Sequence, residues 1–166
     1  MKTKLFTLLV ALITTTSIWA YDFQSGDLYY NITSSSAPYT VEVSHAVSSI
    51  TSAIIPETVT YNGTTYSVMS IGEMAFRSCS SLTSIIIGNS VTSIGNEAFA
   101  NCSSLTSVAI PNSVTSIGNG AFSRCSSLIS VIIPNSMINI GRYAFANCSR
   151  LDSIYCKAIV PPLLED

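Results

Sequence analysis

The sequence predicts a strand-rich α/β solenoid of about five coils, each a copy of the one before it. The first observation is the motif F-x-x-C-x-x-L, which occurs four times at intervals of 23 residues. The second is that eight positions of this unit stay apolar while the positions between them change. A fixed period of this length indicates one supersecondary unit stacked on copies of itself, with a shared interior and a variable exterior.

The coil boundaries follow from the repeat. The first coil is irregular, because Asn62-Gly63 lies between two alternating runs and predicts an inserted β-hairpin with a type I′ turn. The solenoid is assigned to 50–160, with coils at 50–81, 82–104, 105–127 and 128–150 and a partial coil at 151–160.

Each regular coil is predicted to begin with two short strands. In the coil 82–104, the β-branched run L-x-x-I-x-I forms the first strand, with Ile85 and Ile87 pointing inward and Ile86 outward. The second strand covers Val91–Ile94 and stops at a glycine. Strands of successive coils are then expected to pair at a spacing of about 4.8 Å.

The rest of each coil is predicted to form one or two helical turns. The segment 96–102 has the composition of a short helix, with Asn96 as its N-cap and Ala98 and Cys102 on one face. The aromatic residue of this segment is expected to fill the interior, so that successive coils form a column of Phe99, Phe122 and Phe145.

The full repeat resembles a known family. The signature L-x-x-I-x-I-P-x-S-V-x-S-I-G-x-x-A-F-x-x-C-x-S resembles the 23-residue class of leucine-rich repeats and, more narrowly, the BspA-like family of bacterial surface proteins. The asparagine of the commonest leucine-rich repeat class is absent, and Ser90, Ser113 and Ser136 occupy that position. The resemblance implies a right-handed leucine-rich-repeat solenoid and a secreted or cell-surface protein used in adhesion and host contact. It implies no catalytic chemistry.

The two ends of the chain have different compositions. Residues 1–20 are predicted to be a secretory signal peptide, with Lys2 and Lys4 before a short apolar run and cleavage after Ala20. An uncleaved anchor is the alternative, and no later segment looks transmembrane.

Residues 21–49 are predicted to form an N-terminal β cap over the open end of the stack. Residues 161–166 are predicted to form a C-terminal tail.

The charge pattern argues against nucleic acid as a partner. Without Lys2 and Lys4, five basic residues face nine acidic ones, a net charge of −4. No basic patch is present in the sequence, whereas nucleic-acid binding depends on one.

The repeated cysteines could in principle form disulfides, bind a metal or pack as small hydrophobes. Cys79, Cys102, Cys125 and Cys148 share one phase and should form a buried column. Parallel side chains do not point at each other as a disulfide requires, so packing as small hydrophobes is favoured over disulfides or a metal site. Cys156 falls at the inward phase of Ile133 and is predicted to pack inside.

No constellation of residues predicts catalysis. The one histidine, His45, lacks an evident nucleophile and orienting carboxylate, so a place in the cap or on the surface is favoured over a catalytic base. The sequence predicts neither an enzyme nor a cofactor.

Binding is predicted on the outward face of the first strands. An aliphatic column bordered by hydroxyls is a suitable surface for a protein or glycan ligand, and simple β-propensity is the alternative for any one residue. The candidate residues are Thr51, Ile54, Thr83, Ile86, Thr106, Ala109, Ile129, Ile132 and Tyr155. Three roles remain open. They are a secreted binding module, a passive spacer or truncated fragment of a larger adhesin and, less favoured, an ice-binding solenoid.

Overall fold

The computed structural model describes residues 20–157 and the backbone of Leu163–Leu164. The predicted signal peptide, apart from its last residue, and most of the predicted tail lie outside these residues. The strands are β1 Phe23–Ser25, β2 Leu28–Ser34, β3 Thr40–Ala46, β4 Ser52–Ile55, β5 Thr58–Tyr61, β6 Thr64–Ile71, β7 Ser84–Ile87, β8 Ser93–Ile94, β9 Ser107–Ala109, β10 Ser116–Ile117, β11 Ser130–Ile133, β12 Asn139–Ile140, β13 Ser153–Cys156 and β14 Leu163–Leu164.

The first strands of successive coils form a parallel sheet. Its order is β4-β7-β9-β11-β13, one strand from each of five coils. The register follows the 23-residue period of the regular coils, so equivalent residues lie side by side. The serines that begin the strands show this, with Ser84 paired to Ser107 and Ser107 paired to Ser130. The predicted strand-rich solenoid of about five coils is therefore confirmed.

The second strands of the coils form a larger sheet that also includes the N-terminal segment. Its order is β1-β2-β3-β6-β8-β10-β12-β14, and β5 pairs with β6 as an antiparallel hairpin. Asn62 and Gly63 have φ angles of 49° and 78°, as the predicted type I′ turn requires. Because β3 pairs in parallel with β6, the N-terminal strands extend the second sheet directly.

Aromatic rings fill the N-terminal end of the core. The Phe23 ring stacks on Tyr61 with centroids 4.4 Å apart and on Tyr30 at 5.2 Å. Tyr30 is buried, as are Val41 and Val43 of β3. These side chains belong to the same hydrophobic cluster as the coils, so the N-terminal strands cover apolar surface that the first coil would otherwise expose.

The prediction that the third part of each coil forms helical turns is wrong. Among the residues that the structure describes there is no helix, and the segment 96–102 forms successive turns. Along this segment, backbone N–H groups alternately donate within the coil and to the next coil. The Ala98 N–H donates to Gly95 O within the coil (3.4 Å), whereas the Phe99 N–H donates to Ala121 O of the next coil (2.7 Å).

The physical reason is competition for backbone partners. A helix would pair each N–H with the carbonyl four residues earlier, but here every second N–H is used to join neighbouring coils. Glu97 and Asn101 accordingly have φ angles of 51° and 63°, outside the helical region. Asn96 does not cap a helix. Its Oδ1 accepts from the backbone N–H of Asn119 in the next coil (2.8 Å).

Phenylalanine and cysteine side chains form two parallel columns in the core. Phe99 stacks on Phe76 and on Phe122 with centroids 5.0 and 5.1 Å apart, and Phe122 stacks on Phe145 at 5.4 Å. The Cys125 thiol donates to Phe99 O of the preceding coil (3.2 Å). The columns are thus joined, and the predicted interior position of the phenylalanines is confirmed, with Phe145 only partly buried.

The thiols are buried as predicted, and burial raises their pKa. The pKa of Cys79 is raised to about 11 by desolvation. The pKa of Cys125 is raised to about 12 by desolvation first and by the neighbouring Cys148 second. The pKa values of Cys102 and Cys148 are also raised, chiefly by desolvation. These thiols are therefore neutral and poorly reactive in the folded protein.

Alkaline pH is expected to destabilise the protein through these thiols. The folded state holds the Cys125 proton up to about pH 12, whereas the unfolded chain releases it near the ordinary value of 9.0. This contribution is complete below pH 9 and is lost as pH rises through the folded pKa, at about 1.4 kcal/mol per pH unit. Urea unfolding between pH 8 and pH 11 should show it, and Cys125→Ala should give a shallower slope. An identical slope in the variant would contradict the buried neutral thiol.

A column of glycines allows the coils to approach each other closely. A Cβ on Gly118 would lie 2.6 Å from Asn96 N and 2.6 Å from Gly95 C of the preceding coil. Gly95 and Gly141 are equally confined, by backbone atoms at 2.7 and 2.5 Å. The glycine that was expected only to end the second strand is therefore required by packing between coils.

The prediction that Cys156 packs inside is wrong. Cys156 pairs with Ile133 in the register, as its phase requires, but its side chain is exposed. Ile154, which pairs with the buried Val131, is also 49% exposed. The reason is position, because β13 is the last strand of its sheet and, among the described residues, no further coil packs over it.

Candidate binding face

Five outward side chains of the first sheet form one continuous column, which we call the outer stripe. The register pairs each member with the next. Four members are large and exposed, with exposed fractions of 68%, 61%, 45% and 60% for Ile54, Ile86, Ile132 and Tyr155. The outer stripe consists of Ile54, Ile86, Ala109, Ile132 and Tyr155.

Strand alternation explains why these side chains point outward. On either side of Ile86 along β7, Ile85 and Ile87 are 5% and 6% exposed and pack in the core. Successive residues of a strand point to opposite faces, so a buried set fixes an exposed set. Solvent contact at these positions is therefore a consequence of the fold.

Two threonine hydroxyls beside the outer stripe donate hydrogen bonds to the backbone of the preceding coil. The Thr83 hydroxyl donates to Thr51 O (2.9 Å), and the Thr106 hydroxyl donates to Thr83 O (3.3 Å). The backbone N–H groups of the same column join the same coils, including Ile129 N–H to Thr106 O (3.2 Å). Thr51, Thr83 and Thr106 thus reinforce the stack, and Ile129 adds exposed aliphatic surface at the same phase.

The face as a whole is apolar, hydroxyl-bordered and uncovered. Between the threonines and the outer stripe runs the serine column, in which Ser84 and Ser107 are exposed. Parallel sheets are usually covered on both faces, and the large exposed fractions show that nothing in the described part of the chain covers this one. An open surface of this kind can bind a partner.

A concave surface lies on the turn side of the coils, and the sequence did not lead us to predict it. Turn segments of successive coils enclose a cleft of about 420 Å³, which we call the turn cleft. Three arginines line it: Arg77, Arg124 and Arg142. They occupy different phases of the repeat, so no single column shows them together. Their common location in the turn third of the coil was the available signal.

The histidine, His45, lies on β3 near the N-terminal end of the stack. Its ring stacks on Tyr29 with centroids 4.0 Å apart, and partial burial lowers its pKa. Elsewhere in residues 20–157, no three His, Cys, Asp or Glu side chains come together in a way that could hold a metal ion. Nor does this part of the chain contain a helix of the length and apolarity needed to cross a bilayer.

Comparison with known proteins decides the family. Residues 45–160 match the model of the BspA type leucine-rich repeat region, in six copies. The chain belongs to the BspA-type leucine-rich repeat family. The five strands of the first sheet and the repeated Phe and Cys columns are the structural form of those BspA-type repeats.

Solved structures of other leucine-rich repeat proteins share this fold. A protein from Bacteroides capillosus ATCC 29799 is 32% identical, with a TM-score of 0.73 over 81% of this chain and 97% of its own. One from Bacteroides ovatus ATCC 8483 is 34% identical, with a TM-score of 0.72 over 81% of this BspA-type chain and 41% of its own. A leucine-rich cell surface protein from Faecalibacterium prausnitzii A2-165 is 24% identical, with a TM-score of 0.60 over 81% and 42%.

These relatives differ in how much of their own length this chain matches. This BspA-type chain matches nearly the whole of the first protein but less than half the length of the other two. No curated protein matches the chain.

Proposed function

We propose that the protein is a secreted or cell-surface, non-catalytic binding module that contacts host proteins, glycans or other microbes through the outer stripe. The observation that carries this proposal is the stripe itself, a continuous exposed aliphatic column on an uncovered parallel sheet. Exposed apolar surface of this extent is a common property of interaction sites. Repeat proteins recruit partners along such stacked faces.

Export is part of the proposal. It is supported by the lysines and apolar run of residues 1–20, which we assign to a signal peptide ahead of the cap at 21–49 and the solenoid at 50–160. The description of the Faecalibacterium relative as a cell surface protein is consistent with it.

The opposing explanation is a passive spacer, in which the aliphatic column reflects only the strand propensity of isoleucine. Two features favour binding over this explanation. Isoleucine on an exposed face is costly for solubility, and strand propensity is equally served by threonine, which occupies the adjacent column. The stripe also keeps large apolar side chains in four of five coils.

The experiment is a retention assay on arrays of glycans and host matrix proteins, followed by a matched pair of variants. Ile86→Lys places a charge on the outer stripe, whereas Ile138→Lys places the same charge at a residue outside the stripe. The two side chains are 61% and 62% exposed. We expect Ile86→Lys to weaken retention by about ten-fold or more, because an unpaired charge would be desolvated in the complex. Ile138→Lys should leave retention unchanged.

Both variants should melt within a few degrees of the wild type, since exposed substitutions change stability by about 0.5 kcal/mol or less. Equal losses from the two variants would place recognition elsewhere. The absence of any partner on the arrays would favour the passive spacer.

A further inference from the structure

The turn cleft concentrates positive charge in a protein whose overall charge is negative. Three of the four arginines in the chain line it, although the formal net charge is −2. Arg77 is neutralised by Glu97, with Nη1 and Oε2 2.8 Å apart. Arg124 and Arg142 have no carboxylate partner among residues 20–157. A cleft with unpaired positive charge attracts and orients anions.

Two residues of the turn cleft occupy left-handed backbone positions that do not call for an arginine or a tyrosine. Arg124 and Tyr143 have φ angles of 60° and 57°. One period before or after Arg124 the chain has Asn101 and Asn147, whereas the phase of Tyr143 holds Glu97 and Gly120 in the two preceding coils. Asparagine and glycine tolerate this conformation better than long or aromatic residues do. The fold therefore does not explain the arginine or the tyrosine, and the tyrosine is 78% exposed.

The remaining lining of the cleft is polar. Asn101, Asn119 and Asn147 contribute amides, and Ser123 contributes a hydroxyl. The Oδ1 atom of Asn119 accepts from the backbone N–H of Arg142 (2.6 Å). The side-chain NH₂ group of Asn119 therefore remains as a donor. The apolar side chains are limited to alanines, so the cleft offers no pocket for the anchoring side chain of a peptide.

We propose that the turn cleft binds an acidic saccharide, carboxylated or sulfated. Arg124 and Arg142 pair with the acidic groups, since a guanidinium matches the geometry of a carboxylate or sulfate through two parallel hydrogen bonds. The exposed ring of Tyr143 packs against a sugar face, and the asparagine amides bond to hydroxyls. The turn cleft shares no residue with the outer stripe, so this site extends the proposed function and does not depend on it.

Calorimetric titration of the protein with defined oligosaccharides tests the proposal. The probes are hexasaccharides of hyaluronate and chondroitin sulfate, with maltohexaose as the neutral control and hexaglutamate as an acidic peptide. We expect binding of the two acidic saccharides that weakens with added salt, and no binding of maltohexaose.

Variants that restore the residues of neighbouring coils separate binding from folding. Arg124→Asn and Tyr143→Gly copy Asn101 and Gly120, so the fold should tolerate both, and each should weaken binding by about ten-fold. The matched control is Arg150→Ser, which removes a charge outside the cleft and copies Ser127 one period earlier. It should leave binding within about two-fold of the wild type.

Three outcomes would overturn the proposal. The first is that neither acidic saccharide binds. The second is that Arg150→Ser weakens binding as much as Arg124→Asn, which would indicate diffuse surface charge. The third is tighter binding of hexaglutamate than of both saccharides, which would identify a site for acidic peptides. Thermal melts of each variant confirm that a loss of binding is not a loss of fold.

Discussion

Phe122→Ala is expected to destabilise the protein by about 3–5 kcal/mol. The Phe122 side chain is fully buried and lies between the rings of Phe99 and Phe145, at 5.1 and 5.4 Å. Neighbouring coils cannot close the gap, because backbone hydrogen bonds fix their separation, including Phe122 N–H to Ala144 O (2.7 Å). The loss therefore combines reduced burial with an open cavity.

Urea or thermal unfolding measures this effect, and Phe145→Ala is its control. Phe145 belongs to the same column but is only partly buried. Its truncation should cost clearly less than that of Phe122. Equal losses, or a Phe122→Ala melt identical to that of the wild type, would show that the column does not hold the coils together as described.

Gly118→Ala is expected to cost about 3 kcal/mol, the upper end of typical overpacking. The added methyl would lie 2.6 Å from backbone atoms of the preceding coil, namely Asn96 N and Gly95 C. Backbone atoms cannot rotate away as a flexible side chain can, so the two coils must separate. The inter-coil hydrogen bond from Gly118 N–H to Ile94 O (2.8 Å) would lengthen as they do.

Gly120→Ala is the matched control for this prediction. Gly120 has a φ of +61°, but a Cβ there would meet nothing closer than 3.5 Å. Glu97 and Tyr143 occupy the same phase with φ angles of 51° and 57°, so a side chain is tolerated. We expect a loss of about 1 kcal/mol, from the left-handed conformation alone. A larger loss from Gly120→Ala than from Gly118→Ala, in denaturant unfolding, would contradict the close-approach role.

The 23-residue period and the strands could be predicted because each depends on a local sequence pattern. The 23-residue spacing determines which residues become neighbours, and alternation around Ile86 determines which of them face solvent. Asn62-Gly63 predicts its turn because few residue pairs adopt positive φ at both positions. These features depend on a few adjacent residues and on repetition.

The remaining features depend on contacts between coils, which no local pattern reports. Ala98 and Cys102 have helical spacing, but hydrogen bonds to the next coil determine the backbone of that segment. The glycine after the second strand, Gly95 in the coil 82–104, was expected only to end the strand, although its recurrence every 23 residues was a signal of close packing between coils. The turn cleft was missed because its arginines lie at different phases, and only their shared place in the turn third of the coil indicated it.

We propose that the outer stripe recognises a partner while contributing little to the stability of the fold. The most direct test is the double variant Ile86→Lys and Ile132→Lys, measured for both melting temperature and retention of a partner identified on the arrays. We expect a melt within a few degrees of the wild type and retention reduced by about a hundred-fold, because two independent losses multiply. Full retention by the folded double variant would contradict it.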